Sequence, residues 1–314
     1  MEPICTQVKV RVPATSANLG SGFDTVGLAL DYHDELTFTL SRDPSNRAAQ
    51  VLIYGEGEDT LPRDETHLVV STFRKACQTF GLGKVGFILE AHNNIPQARG
   101  MGSSAEAIVA GIAAAAAFAQ EDRLNRDSIF ELAAAIEGHP DNVAPALLGG
   151  LTSSVFEDGV VYSVKRDVDQ SLCFAAIVPD YKLLTEAARA ALPKQVAHKD
   201  AVYNLSRAAL VPAAFCEGRH DLLGIATEDK LHQPYRMPLM PGSREVFALA
   251  KQCGAKAVYV SGAGSTVMAV AERAEAERFY AGLRAGLETL EGLDGCEAFT
   301  LLELDADNTG ATVE

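Results

Sequence analysis

The chain has 314 residues, 47% hydrophobic and 22% charged, enough to bury roughly 75% of its extended-chain surface as one large domain or two ordinary ones. Global disorder and a need for stapling cross-links are thereby excluded. Its 27 basic against 42 acidic side chains, a net charge of -15, repel phosphate backbones and anionic membranes, so no nucleic-acid or membrane partner is expected, although a small anion in one cleft stays open.

In chain order, residues 8–12 alternate apolar and basic side chains, 36–40 are rich in Thr and Phe, and 50–54 form an apolar run closed by Gly55. These read as three strands. Residues 67–80 place Phe73, Cys77 and Phe80 at four and three spacing after Leu68, a helix stopped by Gly81. A strand over 85–91 and a loop over 93–102 feed an alanine-rich helix. Asp127 caps a third helix, in which Ile129, Ala133 and Ile136 share a face and Gly138 ends the run. Residues 151–156 and 160–164 form a hairpin around Asp158-Gly159. The second half opens with a strand at 172–178. It continues with helical stretches near 185–191, 200–216 and 243–253, a strand at 257–261 and a last helix near 273–290. No repeat or low-complexity linker appears, so a tight boundary near 160–170 divides the chain into 1–165 and 166–314, two halves sharing a cleft.

Cys5, Cys77, Cys173, Cys216, Cys253 and Cys296 include no C-x-x-C pair, which favours reduced, mostly buried thiols over a disulfide framework or a zinc site. Lys9 and Arg11 stand where a signal peptide needs an apolar block. The longest apolar run, 107–119, would span about 20 Å as a helix against roughly 30 Å of hydrocarbon. The expected address is the cytoplasm.

Three segments carry chemistry. In the first, Ile95-Pro96-Gln97-Ala98-Arg99-Gly100-Met101-Gly102-Ser103-Ser104-Ala105-Glu106 runs from a loop straight into a helix. Glycines admit close approach of an anion, and the first helical turn offers unpaired N–H groups and the positive end of the dipole. This is a phosphate cradle, but neither a Walker A loop nor a G-x-G-x-x-G fingerprint. Ser103 and Glu106 also have the S-x-x-E spacing of a capping box, which accounts for those two residues but not for both glycines or the second serine.

The second segment, Glu137-Gly138-His139-Pro140-Asp141-Asn142, places an acid in the last turn of a helix, against the dipole, at a cost of roughly 0.3–1 kcal/mol. A carboxylate so placed suits Mg²⁺, which favours one or two carboxylates plus phosphate oxygens. For His139, Asp141 and Asn142 the local reading, a cap on the following helix and an ordinary histidine, prevails when they are taken alone. The third segment, Pro13 to Asp24 with Gly27 behind it, is dense in small residues and reads as a loop. Its Asn18 and Asp24 supply an amide and a carboxylate for an ammonium- and hydroxyl-bearing ligand, or merely decorate a turn. Late in the chain Ser261-Gly262-Ala263-Gly264-Ser265-Thr266 follows a strand and could wall the same cleft.

The combination P-A-T-S-A-N-L-G-x-G-F-D, P-x-x-x-G-M-G-S-S-A, E-G-H-P-D-N-V-A-P, L-H-Q-P-Y-R at 231–236 and the late S-G-A-G resembles the GHMP small-molecule kinases, in order, from residue 13 to 266. The G-M-G-S-S loop is shared across that superfamily, whereas the first and third segments and L-H-Q-P-Y-R resemble its homoserine kinase branch.

The resemblance implies a two-domain α+β fold with a ferredoxin-like second half and the active site between the halves. It implies ATP with its phosphates on residues 96–104 and its adenine near His67, and Mg²⁺ held by Glu137 and Ser104. L-homoserine would lie with its amino end near Asn18 and Asp24, His139 and Gly262 close by, and its carboxylate between Arg189 and Arg236. Two bidentate guanidinium forks suit one small carboxylate and, with the cation, would reverse the chain's negative field locally. The implied reaction is in-line transfer of the γ-phosphoryl group to the side-chain hydroxyl, a step of threonine biosynthesis. Glu137, Ser104 and Asn142 would be its catalytic groups.

Mevalonate kinases place an aspartate and a lysine where Asn142 and Thr15 stand here; an amide takes no proton, so positioning and electrostatics would carry catalysis. Ser265 replaces a usual proline, His67 an asparagine beside adenine, and Glu106 a small neutral residue, with capping as its reason. A GHMP kinase for mevalonate or a related alcohol, and a noncatalytic metabolite-binding homologue, are the alternatives. A homodimer is left open by the sequence.

Overall fold

The computed structural model of the chain describes all residues except Met1, Pro44, 120–124, Glu291, Leu293 and Asp294. The first half contains β1 (Gln7–Ala17), β2 (Val26–Leu40), β3 (Ala49–Gly55), α1 (Leu68–Thr79), β4 (Phe87–Asn93), α2 (Ser103–Ala119), α3 (Arg126–Glu137), α4 (Pro140–Leu148), β5 (Leu151–Glu157) and β6 (Val160–Arg166). The second contains β7 (Leu172–Pro179), α5 (Thr185–Ala190), α6 (His198–Ala208), α7 (Val211–Cys216), α8 (Leu223–Ala226), α9 (Gln233–Arg236), α10 (Ser243–Gln252), β8 (Ala257–Val260), β9 (Val267–Glu272), α11 (Ala276–Glu288), β10 (Phe299–Leu304) and β11 (Thr312–Val313).

Two sheets follow. The first has the order β11-β1-β2-β4-β3, with β5 and β6 branching from β2; the second has the order β10-β7-β9-β8 and is antiparallel throughout. The last strand therefore returns to the first sheet: Val10 and Arg11 pair with Val313 and Thr312.

Each sheet's residue pattern explains what covers it. In β1, Val8, Val10 and Val12 face the core under α1 and α2 while Lys9 and Arg11 point outward. The β1–β2 register shifts between Pro13 and Ala14. Pro13 pairs with His33 and Ala14 with Leu30, so Asp31 and Tyr32 of β2 bulge out of the ladder there. Beyond it Ala14, Leu28 and Leu30 join a second core shared with Phe174, Tyr259 and Met268 of the other sheet. In β7, alternate residues serve two cores as well: Phe174, Ala176 and Val178 face this shared core, and Cys173, Ala175 and Ile177 face α10 and α11. A strand buried on both faces reads as a continuous apolar run, as Leu172–Pro179 does. The helix α2 is apolar all round, lies inside, and packs against α1, α3 and β1.

The structure differs from the sequence reading at several points. The stretch 13–17 is strand, not loop, because it continues the β1 ladder with β2. Asn125, not Asp127, caps α3, its side chain accepting from the Ser128 N–H at 3.2 Å. The strands β9, β10 and β11 and the short α9 lie outside the sequence reading; β10 and β11 pair with β7 and β1, far away in sequence, whereas β9 pairs both with β7 and with its neighbour β8. The Asp158-Gly159 hairpin occurs as expected, with positive φ at both residues. No helix among the described residues is long and apolar enough to cross a membrane.

Candidate active site

Between β4 and α2 the chain turns through Ala98, Gly100 and Gly102, all at positive φ. A Cβ on Gly102 would stand 1.9 Å from Thr15 Oγ1, and one on Gly100 2.2 Å from the Ser261 carbonyl oxygen. Only glycine fits either place. The loop is held between β1 and the β8–β9 turn: the Thr15 N–H donates to Met101 O at 3.0 Å, the Thr266 N–H to Arg99 O at 3.0 Å, and Ser261 Oγ to Gly100 O at 2.6 Å. The first-turn N–H groups of α2, without intrahelical acceptors, are thereby set at a rigid loop's end.

Gln97, Ala98, Gly100, Gly102, Ser103 and Ser104 line a cavity of about 360 Å³. Pro96, Arg99 and Met101 are not among its lining. Arg99 donates to the Pro179 and Asp180 carbonyls, both at 2.9 Å, and pins the loop to the second sheet, while Met101 is core.

At the far end of α3, Glu137 Oε2 accepts from Ser104 Oγ at 3.0 Å. Burial raises the carboxyl's pKa, partly offset by His139 and by Ser104. Gly138 closes the helix in the left-handed region, and α4 starts immediately, so its first turn presents His139, Asp141 and Asn142 to the same cavity. His139 Nδ1 and Asp141 Oδ1 are 2.8 Å apart, and this hydrogen bond raises the imidazole's pKa. Asn142 Oδ1 accepts from Thr15 Oγ1 at 2.8 Å. Thr15 and Asn142 thus meet across 127 residues.

At the opposite wall Arg189 grips Asp24 with both forks, at 3.0 and 2.9 Å, and the pairing raises its pKa. Arg236 is only 2% exposed; its Nη1 donates to Gly262 O at 2.9 Å and its Nε has no partner. Burial, then Arg189, lowers its pKa. The short α9 that carries it is held by Asp229, whose carboxylate accepts from the N–H groups of Leu231, His232 and Gln233. Asn18, also 2% exposed, donates to Gly262 O at 2.8 Å and accepts from the Asp24 N–H at 3.0 Å. Phe23 lies under both guanidinium groups, 6.0 Å from Arg189 and 5.2 Å from Arg236. The expected substrate residues are brought together, with Asn18 already tying two loops and Arg189 already paired.

The capping role expected of Glu106 is not found. Its N–H closes the first helical bond, to Gly102 O, while its side chain is buried and lies against Asp34. Asp34, on β2, accepts from the N–H groups of Asn94 and Ile95 at 2.6 and 2.9 Å and so ties the start of the phosphate loop. Burial, opposed by those two bonds, raises its carboxyl to about 6; burial and then Asp34 raise Glu106 well above the ordinary range. Two buried carboxyls in contact keep a proton between them. His67, at the N-cap of α1, is 3% exposed with neither ring nitrogen partnered, and burial lowers its pKa, so its ring is neutral.

Asp34 went unnoticed in the sequence. A lone inward acid in a strand was its only signal.

The expected local reversal of charge is not supplied by side chains. Asp24, Asp34, Glu106, Glu137 and Asp141 line the cavity against Arg189 and Arg236, and one guanidinium is already neutralised by Asp24. A multiply charged anion entering here needs backbone N–H groups and an added cation besides the two arginines.

The fold and this cleft define a small-molecule kinase of the GHMP class: the model of the GHMP kinases N terminal domain matches residues 67–150, and that of the GHMP kinases C terminal matches 213–289. A homoserine kinase of Streptomyces coelicolor is 43% identical over 98% of this chain and 94% of its own, and one of Moorella thermoacetica is 45% identical over 83% and 86%. The crystal structure of a homoserine kinase from Cytophaga hutchinsonii superposes with a TM-score of 0.83 at 27% identity, covering 100% of this chain and 99% of that one. An L. major mevalonate kinase shares the fold alone, at a TM-score of 0.73 and 15% identity over 97% and 98%. The chain belongs to the GHMP kinase family, within its homoserine kinase branch.

Proposed function

We propose that the protein transfers the γ-phosphoryl group of ATP to the side-chain hydroxyl of L-homoserine, giving O-phospho-L-homoserine for threonine biosynthesis. The observation that carries this reading is the convergence on one cavity of the glycine loop with Ser104 and Glu137 at one end and of Arg189, Asp24 and Arg236 at the other. A phosphate cradle and a clamp for a zwitterionic amino acid within one cavity suit phosphoryl transfer between them.

The two halves, 1–165 and 166–314, contribute the phosphate end and most of the clamp. The lining residues of the loop, Gln97, Ala98, Gly100 and Gly102 to Ser104, hold the triphosphate through backbone N–H groups, and the first-turn amides of α2 stabilise charge that spreads over the transferring oxygens. Glu137 and Ser104 form a hard oxygen donor pair that fits Mg²⁺, and the acid excess of the cavity fits a need for cations. Bound there, the ion would neutralise phosphate charge and orient the γ-phosphate.

Arg236, with an unpartnered Nε, binds the substrate carboxylate, and Arg189 adds a second fork held in place by Asp24. The Asp24 carboxylate and the Asn18 amide face the substrate ammonium, with Gly262 supplying backbone. His139, braced by Asp141, flanks the site. Asn142, its carbonyl engaged by Thr15, positions the attacking hydroxyl and takes no proton, which passes to phosphate or water. His67 contacts the adenine.

The test is ADP release, measured with a panel of alcohols. Turnover with L-homoserine well above that with L-serine, L-threonine or mevalonate supports the reading. Turnover with mevalonate and none with L-homoserine would overturn the substrate, and tight L-homoserine binding without any phosphoryl transfer would point to a sensor.

A further inference from the structure

Glu106 stands one helical turn beyond the loop that the phosphates occupy, about 4.5 Å further along α2 than Ser103. Three observations set it apart. It is only 4% exposed yet lines the cavity. Its Oε1 has no hydrogen-bond partner. Its carboxyl is held in place by contact with Asp34, which is itself tied to the Asn94 and Ile95 N–H groups. A buried acceptor kept without a partner is a cost that a ligand can offset.

The neighbours describe the ligand. Leu61, Leu68, Val69, Ile95 and Ala107 give this part of the cavity apolar walls, which suit a flat heterocycle. Facing the same cavity, the neutral His67 ring has both nitrogens unpartnered and can donate one N–H. A fixed acceptor and a neutral donor together complement a ring edge that offers an exocyclic amine beside a ring nitrogen, the edge of adenine. Guanine offers a carbonyl oxygen where the amine would be and sets it against Glu106 Oε1.

We infer that Glu106 is a specificity-determining residue for the nucleotide, accepting a hydrogen bond from the exocyclic amine of the base and so selecting adenine over guanine. The inference rests on the reading of this cavity as the nucleotide site. A proton shared with Asp34 still leaves the Glu106 carboxyl an acceptor oxygen. Asp34 is the positioning residue that keeps Glu106 aimed.

The experiment compares calorimetric binding and kcat/KM for ATP, GTP and purine riboside triphosphate, which lacks only the amine, in wild type, Glu106→Gln and Glu106→Met. The wild type is expected to favour ATP over the amine-less analogue by about tenfold or more. Glu106→Gln, which keeps a carbonyl oxygen and can donate to Asp34, retains the preference, and Glu106→Met reduces it to within about threefold. A wild type indifferent to the amine, or a Met variant that keeps the full preference, overturns the inference. Should the Met variant not fold, a crystal structure of the wild type with ADP decides: the amine at about 3 Å from the Glu106 carboxyl supports the role, and an amine bonded elsewhere overturns it. If the wild type binds none of the three nucleotides, it is the nucleotide reading of the cavity that fails, an outcome distinct from equal binding of all.

Discussion

The phosphate end of the cleft is built from one continuous segment, residues 96–104, whose geometry follows from two glycines that no other residue can replace. The amino-acid end is assembled from Asn18 and Asp24 after β1, Arg189 on α5, Arg236 on α9 and Gly262 after β8, with partners as far as 244 residues apart. In the proposed reading the first end works through backbone N–H groups, whose placement is local. The second, in the proposed reading, works through charges that other segments pair, the partly exposed Arg189 with Asp24 and the buried Arg236 with a carbonyl. A local device fails when its backbone is disturbed, and a distributed one fails gradually, one contact at a time.

Substitutions should separate the two ends in that order. Glu137→Ala is expected to lower Mg²⁺-dependent kcat by about 10²–10³-fold without lowering the melting temperature, since the side chain ends a helix; steady-state kinetics over a Mg²⁺ series would show it, and a near-normal kcat would remove Glu137 from the metal. Gly102→Ala pushes a Cβ against Thr15 and should cost about 10²-fold in kcat/KM for ATP, with the KM for homoserine little changed. If homoserine KM rose equally, the ends would not be separable.

Arg236→Lys trades a fork for a point charge in a buried place and should raise the KM for homoserine about tenfold with kcat within a few-fold. An unchanged KM would exclude Arg236 from the clamp. Asp24→Asn frees Arg189 of its partner and should raise that KM only by about threefold to tenfold.

The smallest effect concerns stability. Asp34's folded pKa, about 6, lies above its ordinary value, so the folded protein binds the proton more tightly than the unfolded chain. Stability from this group is therefore greatest at low pH and is lost as pH rises from about 4 through about 6. Denaturant unfolding across that window should show a decline in wild type that Asp34→Asn, which still accepts from Asn94 and Ile95, makes shallower, the remainder coming from the buried Glu106. A parallel decline in the variant would assign it to other groups.

Asp34 and Glu106 also mark where sequence reading stops. The S-x-x-E spacing at 103–106 fits a capping box, and a cap is a local interaction, so local reasoning was satisfied. In the folded chain Glu106 turns inward because an acid on β2 lies under the first turn of α2, and nothing in either segment announces the other. The same holds for Arg99, whose place in the loop suggests a phosphate ligand and whose guanidinium instead bonds the carbonyls at the end of β7. The stretch 13–17 reads as loop from its small residues, yet small residues are what a strand needs where the phosphate loop and the β8–β9 turn press upon it.

By itself the sequence determined the strands and helices with clear periodicity, the hairpin at Asp158-Gly159, the glycine turn that leads into α2 and the acid at the end of α3. Each depends on residues within a turn or two of one another, where backbone preference and dipole decide. Only the tertiary structure decided that Thr15 meets Asn142, that Arg189 is held by Asp24, that β11 returns to the first sheet, and that the cavity keeps an excess of acid. Those outcomes depend on which segments close over the same buried space, and desolvation there, not local propensity, sets which charges are paired and which are left for a ligand.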